Sequence, residues 1–339
     1  MSETGPRNLS FHRYVKEAEQ ATRPTLAFST RKRKDFGRWQ RAVRKQVLHL
    51  LGDLPSRKVP LNVQVLDEKA LPEYVRRKIL FDVEPNFSIP AYLLVPKGLG
   101  NKRAAPALLC LHGHGRGKID ICGIDSDPSI LQRFVRPLEY DYAHRYACDG
   151  YVVLAPDARG FGELGDLNCS AAYATLTLMG RTVVGLRLWD AMRALDLLVD
   201  LPEVNPRRVG CTGLSWGGTH TMYTTLLDPR VKVACISGYF SSIKDTLIDY
   251  PQCPCQYIPG LRQYVDFPDL VGAIAPRPLL IQYGDIDPLY TCETVHEEFK
   301  KVQIIYAAVG AADRVALDVF HGAHQYHYST AAAWFKKHL

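Results

Sequence analysis

The chain has 339 residues, 47% hydrophobic and 23% charged, so it can bury a large core and is unlike a disordered or fibrous protein. Its formal net charge of +7 is uneven: residues 1–60 carry 14 Lys+Arg against 5 Asp+Glu, a net of +9, and the rest of the chain nets −2. No apolar run reaches the roughly 18 residues of a membrane span, the polar start lacks a secretory apolar stretch, and the basic run Arg31-Lys32-Arg33-Lys34 lacks aromatic or zinc-finger patterning, which together point to a cytoplasmic chain with no membrane or nucleic-acid partner.

Residues 1–60 read as a basic, amphipathic helical extension that stops near Leu50-Leu51-Gly52, with Pro55 beyond. The texture changes at residue 61, and 61–339 reads as one catalytic domain. Strand-like segments cover 61–66, 75–83 and 89–95. The last two flank the turn signal Glu84-Pro85-Asn86, which predicts an antiparallel pair. Short apolar runs follow at 107–111, 151–155, 208–212, 231–237, 278–282 and 316–320. Helix-length segments such as 180–199, 217–227 and 291–308 lie between them. Buried strands alternating with helices predict an α/β fold: an eight-stranded, mostly parallel sheet with helices on both faces. The stretch 239–275 is longer than a simple crossover and is expected to line a pocket or act as a lid.

The nine cysteines are odd in number and scattered, which argues against a disulfide framework. Cys110, Cys211 and Cys235 sit in strand-like runs and read as reduced, buried thiols. Cys253 and Cys255 are too close together to form a zinc site alone. His112 and His114 stand two apart with no third ligand in view. No metal or organic cofactor is therefore expected.

The most informative stretch is Gly213-Leu214-Ser215-Trp216-Gly217, which stands directly after a predicted strand and before a predicted helix. In that setting a serine occupies a tight turn with strained backbone angles, the two glycines let strand and helix approach, and the helix N-terminus favours a developing oxyanion. Ser215 is the candidate nucleophile. An acid and then a histidine should follow in the chain. Asp285 and Asp287, in Gly284-Asp285-Ile286-Asp287, both qualify as the acid; Asp287 is favoured by its spacing from the loop glycine. His324, after Gly322, is the candidate base, with His321 and His327 assigned to loop packing and His220 expected to face away. The loop Leu111-His112-Gly113-His114-Gly115 follows another strand end. The backbone N–H groups of Trp216 and His114 are the candidate oxyanion donors. Asp157 and Arg159, on the next strand-end loop, are expected to pair with each other.

Together these segments resemble the dienelactone-hydrolase and acetyl-xylan-esterase-like branch of the α/β-hydrolases. The matching residues are Leu111–Gly115 with Gly117-Lys118, Asp157–Gly162, Gly213–Gly218, Ile274–Pro278, Gly284–Asp287 and Gly322–His324, over about residues 75–338. The resemblance implies hydrolysis of carboxylic esters by a Ser-His-Asp triad without a cofactor, acting on a small-molecule, short-acyl or acetylated sugar ester. Deacetylases of this branch carry glutamine after the nucleophile; here Trp216 stands there, with a side chain expected to reach the pocket. A homodimer is the default assembly. Two other readings stay open: a peptidase or amidase of the prolyl-oligopeptidase-like type, and a non-catalytic binding protein on the same fold.

Overall fold

The computed structural model describes residues 7–29, 33–99, 105–289 and 291–339, so Arg31 and Lys32 of the basic run lie outside the described residues. The chain builds one sheet. It opens with β1 (Gln64–Ala70), β2 (Tyr74–Glu84) and β3 (Phe87–Pro96), joined antiparallel, and the turn between β2 and β3 falls at Pro85-Asn86 as predicted. Next come β4 (Ala105–Leu111), β5 (Val152–Pro156), β6 (Val204–Leu214), β7 (Val233–Ser237), β8 (Leu279–Gly284) and β9 (Val315–Phe320). The order across the sheet is β1-β2-β3-β5-β4-β6-β7-β8-β9. β3 runs antiparallel to β5, and all pairs from β5 to β9 are parallel. The sheet thus has nine strands where eight were expected. All nine strand-like segments of the sequence enter it, and the first, read at 61–66, lies a few residues further on as β1, a wholly exposed edge strand paired with β2 among the described residues.

β5, β7 and β8 are buried along their whole length, which is why their sequences read as unbroken apolar runs. Side chains alternate between the two faces. Leu108, Cys110, Val153, Cys235 and Leu280 pack beneath the helices Tyr142–Cys148 and Tyr328–His338. On the opposite face, Ala234, Ile236, Leu279 and Ile281 meet the helices Val183–Asp200, Trp216–Leu227 and Cys292–Ala308.

Among its described residues the N-terminal extension contains two α-helices, Phe11–Ala21 and Phe36–Leu50. The first buries no residue. The second drives Phe36, Val43 and Val47 into the same core as Ala234 and Ile236. It ends where the sequence predicts: Gly52 has φ 81°, and a Cβ there would stand 2.2 Å from the Gly180 carbonyl oxygen, so only glycine fits. Residues 239–275 form short helical turns at Lys244–Ile248, Pro254–Gln256 and Leu261–Gln263, then the helix Phe267–Gly272. Among the described residues no helix is long and apolar enough to cross a membrane.

Candidate active site

Ser215 stands between the end of β6 and the helix Trp216–Leu227 with φ 62° and ψ −124°, a conformation a non-glycine residue holds only under constraint from its surroundings. The constraint is visible. Ser215 N–H donates to the Ser237 carbonyl at 2.9 Å, tying the turn to the end of β7. The two motif glycines are sterically required, since a Cβ on Gly213 would lie 2.4 Å, and one on Gly217 2.0 Å, from the Leu111 carbonyl oxygen.

The next strand ends carry the acid and the histidine. Asp287 follows β8, its side chain almost fully buried, and its Oδ2 lies 2.7 Å from His324 Nδ1. Its other oxygen accepts from Leu289 N–H at 2.9 Å. With Nδ1–H donating to Asp287, the Nε2 of His324 is left as the acceptor nitrogen; it is buried and holds no hydrogen bond among the described residues. The imidazole packs on Gly238, where a Cβ would stand 3.0 Å from His324 Cε1. Ser237 and Gly238 therefore touch the serine turn and the imidazole at once.

Asp285, the competing acid, takes a different role. It faces exposed His321 at 3.1 Å and accepts from Gly322 N–H at 3.1 Å, which pulls its carboxyl below the usual range. His327 is held by Asp318 at 2.8 Å. His220 is buried, its Nε2 donating to the Arg187 carbonyl at 2.7 Å, and burial pushes its imidazole down to about 3.

On the other side of Ser215 lies the loop after β4. The imidazole of His112 is fully engaged: Nδ1 meets the Gly113 carbonyl at 2.8 Å, and Nε2 accepts from Ala158 N–H at 2.9 Å. Burial lowers its pKa, and the neutral tautomer suits both partners. Gly113 N–H donates to the buried Tyr140 hydroxyl at 2.7 Å. A Cβ on Gly113 would come within 3.2 Å of Ser215 Cβ, so this loop runs directly against the serine. With Gly113 N–H already spent, the next N–H on the loop belongs to His114.

A family model described as the Abhydrolase family matches residues 2–336. The chain belongs to that family. Within it, this abhydrolase is 32% identical over 281 residues to Bacillus subtilis YtaP, a protein named as a hydrolase, covering 80% of this chain and 89% of that one. Its fold is similar to that of a Bacteroides fragilis protein assigned as an acetyl xylan esterase, with TM-score 0.80 and 22% identity over 95% of this chain and 84% of the other. It is also similar to a glucuronoyl esterase from Solibacter usitatus, with TM-score 0.70 and 15% identity over 94% and 99% of the two chains.

Three features of this abhydrolase depart from the sequence reading. Asp157 and Arg159 do not pair. Asp157 binds the buried ammonium of Lys118 at 2.6 Å and accepts from Lys118 N–H at 2.8 Å, whereas Arg159 reaches Asp190 and Glu84, both at 2.7 Å. Residues two apart on this loop point into different surroundings, and each charge finds a nearer opposite one. Trp216 does not reach a pocket. Its side chain is 1% exposed, with the Arg187 guanidinium 4.8 Å over the indole and His220 stacked at 6.1 Å.

The third departure concerns the cysteines. Cys110, Cys211 and Cys235 are buried as expected. His114, Cys169, Cys253 and Cys255, however, converge from three separate stretches of chain, with one ligand atom from each lying within 4.8 Å of all the others. Cys169 opens the helix Cys169–Leu178, Cys253 caps the start of the turn Pro254–Gln256, and Cys255 lies within that turn. Hydrogen bonds from Cys253 and Cys255 pull the Cys169 thiol well below its ordinary range. The Cys-Pro-Cys spacing and the His-Gly loop were both visible in sequence; their juxtaposition was not.

Proposed function

We propose that the protein is a serine hydrolase of carboxylic esters, with Ser215 as nucleophile, His324 as general base and Asp287 orienting His324. The observation that carries this reading is the 2.7 Å hydrogen bond that His324 Nδ1 donates to the buried carboxylate of Asp287, set two strands along the sheet from a serine held at positive φ. Asp287 fixes the tautomer in which Nε2 can accept a proton, and its charge stabilises the imidazolium that forms. As His324 takes the Ser215 proton, Oγ attacks the ester carbonyl. The tetrahedral oxygen then receives the N–H groups of Trp216 and His114, each worth about 3–4 kcal/mol in related chemistry. Collapse expels the alcohol, protonated by His324. Water, activated by the same imidazole, then releases the acid from the acyl-enzyme.

The substrate class is an ester of a carbohydrate or a comparably polar small molecule. This rests on the similarity to proteins named acetyl xylan esterase and glucuronoyl esterase, whose shared chemistry is ester cleavage on sugars. The burial of Trp216 supports it, because an indole held in the core does not fill the space above the nucleophile.

A fluorophosphonate probe should label Ser215 in the wild-type chain and fail to label Ser215→Ala. That variant should keep its fold and lose turnover of a short-chain aryl ester by about 10⁴-fold or more. Wild-type-like turnover in Ser215→Ala would refute the assignment. Acetylated sugars, uronate esters and each ester's matched amide then define the substrate and separate esterase from amidase action.

A further inference from the structure

We propose that His114, Cys169, Cys253 and Cys255 form a structural zinc site at the edge of the candidate active site. Tetrahedral zinc, with Zn–S near 2.3 Å and Zn–N near 2.0–2.1 Å, requires ligand atoms about 3.4–3.8 Å apart. Cys255 Sγ and His114 Nε2 stand 3.8 Å apart, and all four ligand atoms fall within 4.8 Å of one another, a separation that small rotamer changes close. Three thiolates and one imidazole are a soft, closed donor set, which suits structural zinc and leaves no position for a reacting water.

Arg187 supplies an independent observation. Its side chain is 1% exposed, yet among the described residues no carboxylate pairs with it, while its neighbours Arg159 and Arg193 both hold one. Its guanidinium donates to the Arg159 carbonyl through Nε and Nη2, lies over the rings of Phe161 and Trp216, and places Nη2 3.4 Å from Cys169 Sγ. Asp190 lies within electrostatic reach but is ion-paired with Arg159, so a further anion beside the buried Arg187 guanidinium would complete its compensation. Zinc with three thiolates and a neutral histidine carries one net negative charge, and Arg187 carries one positive charge beside it. A hydrogen bond from an arginine to a ligating thiolate is the outer support that metal centres commonly use.

The site has a structural consequence. The Cys253-Pro-Cys255 turn lies within the 239–275 segment, and Cys169 opens a helix on a different crossover. Zinc would clamp both onto the loop after β4 through His114, the residue whose N–H is the second oxyanion donor in the function proposed above. The metal claim does not depend on that function, and its test reads metal rather than turnover.

The test is metal content of the full chain, purified reduced and without a histidine tag. About one zinc per chain is expected, falling by at least roughly tenfold in Cys169→Ser and in Cys255→Ser. Cys148→Ser removes an exposed thiol outside the cluster and should keep its zinc. If either ligand variant fails to fold, the wild-type chain decides: metal removed under reducing conditions and replaced by cobalt(II) should give the thiolate-to-cobalt charge-transfer band of a tetrahedral site. Absence of zinc together with failure of the reduced chain to take up zinc or cobalt(II) would overturn the proposal. So would retention of zinc in both ligand variants, or a disulfide between two of the three cysteines in protein whose thiols were blocked at lysis.

Discussion

The two walls beside Ser215 are built by different means. The His324 wall is a backbone construction: the loops after β8 and β9 are locked by Asp285 N–H on the Phe320 carbonyl and Ile286 N–H on the Gly322 carbonyl. Gly284 lets them meet, since a Cβ there would lie 2.2 Å from the Gly322 oxygen. The His114 wall is a side-chain construction: Tyr140 holds Gly113 N–H, Phe161 stands edge-on to His114 with ring centroids 5.1 Å apart, and Arg187 fills the space between Trp216 and the thiols. A backbone-built wall tolerates side-chain change except at the reacting groups. A side-chain-built wall spreads its dependence over residues that touch no substrate.

On the proposed function, the largest effect should come from Asp287, the positioning side chain on the first wall that can be altered without changing its shape. Asp287→Asn keeps the geometry but disturbs the imidazole tautomer, so kcat on an aryl ester should fall by about 10⁴-fold with little change in thermal stability. A loss under tenfold would remove Asp287 from its role. Next is the second wall. Tyr140→Phe leaves Gly113 N–H buried without an acceptor, costing about 1–3 kcal/mol in denaturant unfolding, and it should lower kcat about tenfold as the His114 loop shifts. An unchanged kcat would mean that this wall does not position the loop.

A third effect appears only with pH. His220 lies behind the second wall with its folded pKa pushed down to about 3, far below an unfolded value near 6.5. Between those values the unfolded chain binds a proton that the folded chain excludes. His220 therefore leaves stability intact above pH 6.5 and erodes it as pH falls toward 3. Lowering pH from 7 to 5 should cost about 2 kcal/mol through this group, and His220→Gln, which keeps a donor for the Arg187 carbonyl, should show a shallower loss in the same unfolding series. Equal slopes would contradict the neutral buried imidazole. The smallest effect is expected from Asp285→Asn on the first wall: its partner His321 is exposed, and turnover should stay within about twofold of wild type. A loss rivalling that of Asp287→Asn would exchange the roles of the two acids.

The first wall was the legible one. Ser215, Asp287 and His324 each follow a strand with a glycine nearby, so short segments encode both the element and the side chain it carries. The parallel core strands were legible for the same reason. The second wall depends on which way adjacent side chains turn and on which distant segments meet. Asp157 and Arg159 looked like partners because they are neighbours in sequence, but Lys118, Asp190 and Glu84 lie closer in space. Trp216 looked available because it follows the nucleophile, but the first turn of its helix points it into the core. The thiols looked isolated because Cys169 and the Cys253-Pro-Cys255 turn are distant in sequence from His114. β1 was read a few residues early, at 61–66, because an exposed strand has no buried apolar run to fix its bounds.

Arg187 carries a consequence for how such a chain can change over time. Its carbonyl anchors His220, its guanidinium anchors the Arg159 carbonyl and Cys169, and among the described residues the carboxylate that feels its charge, Asp190, is held by Arg159 instead. If the proposed zinc site is filled, losing one of its cysteines would leave Arg187 without its anionic neighbour, and losing Arg187 alone would leave the charge of the zinc-thiolate centre uncompensated. The two should be inherited as a unit: in a collection of related sequences, substitution of Cys169, Cys253 or Cys255 should travel with replacement of Arg187 by an uncharged residue, while Ser215, Asp287 and His324 vary independently of both.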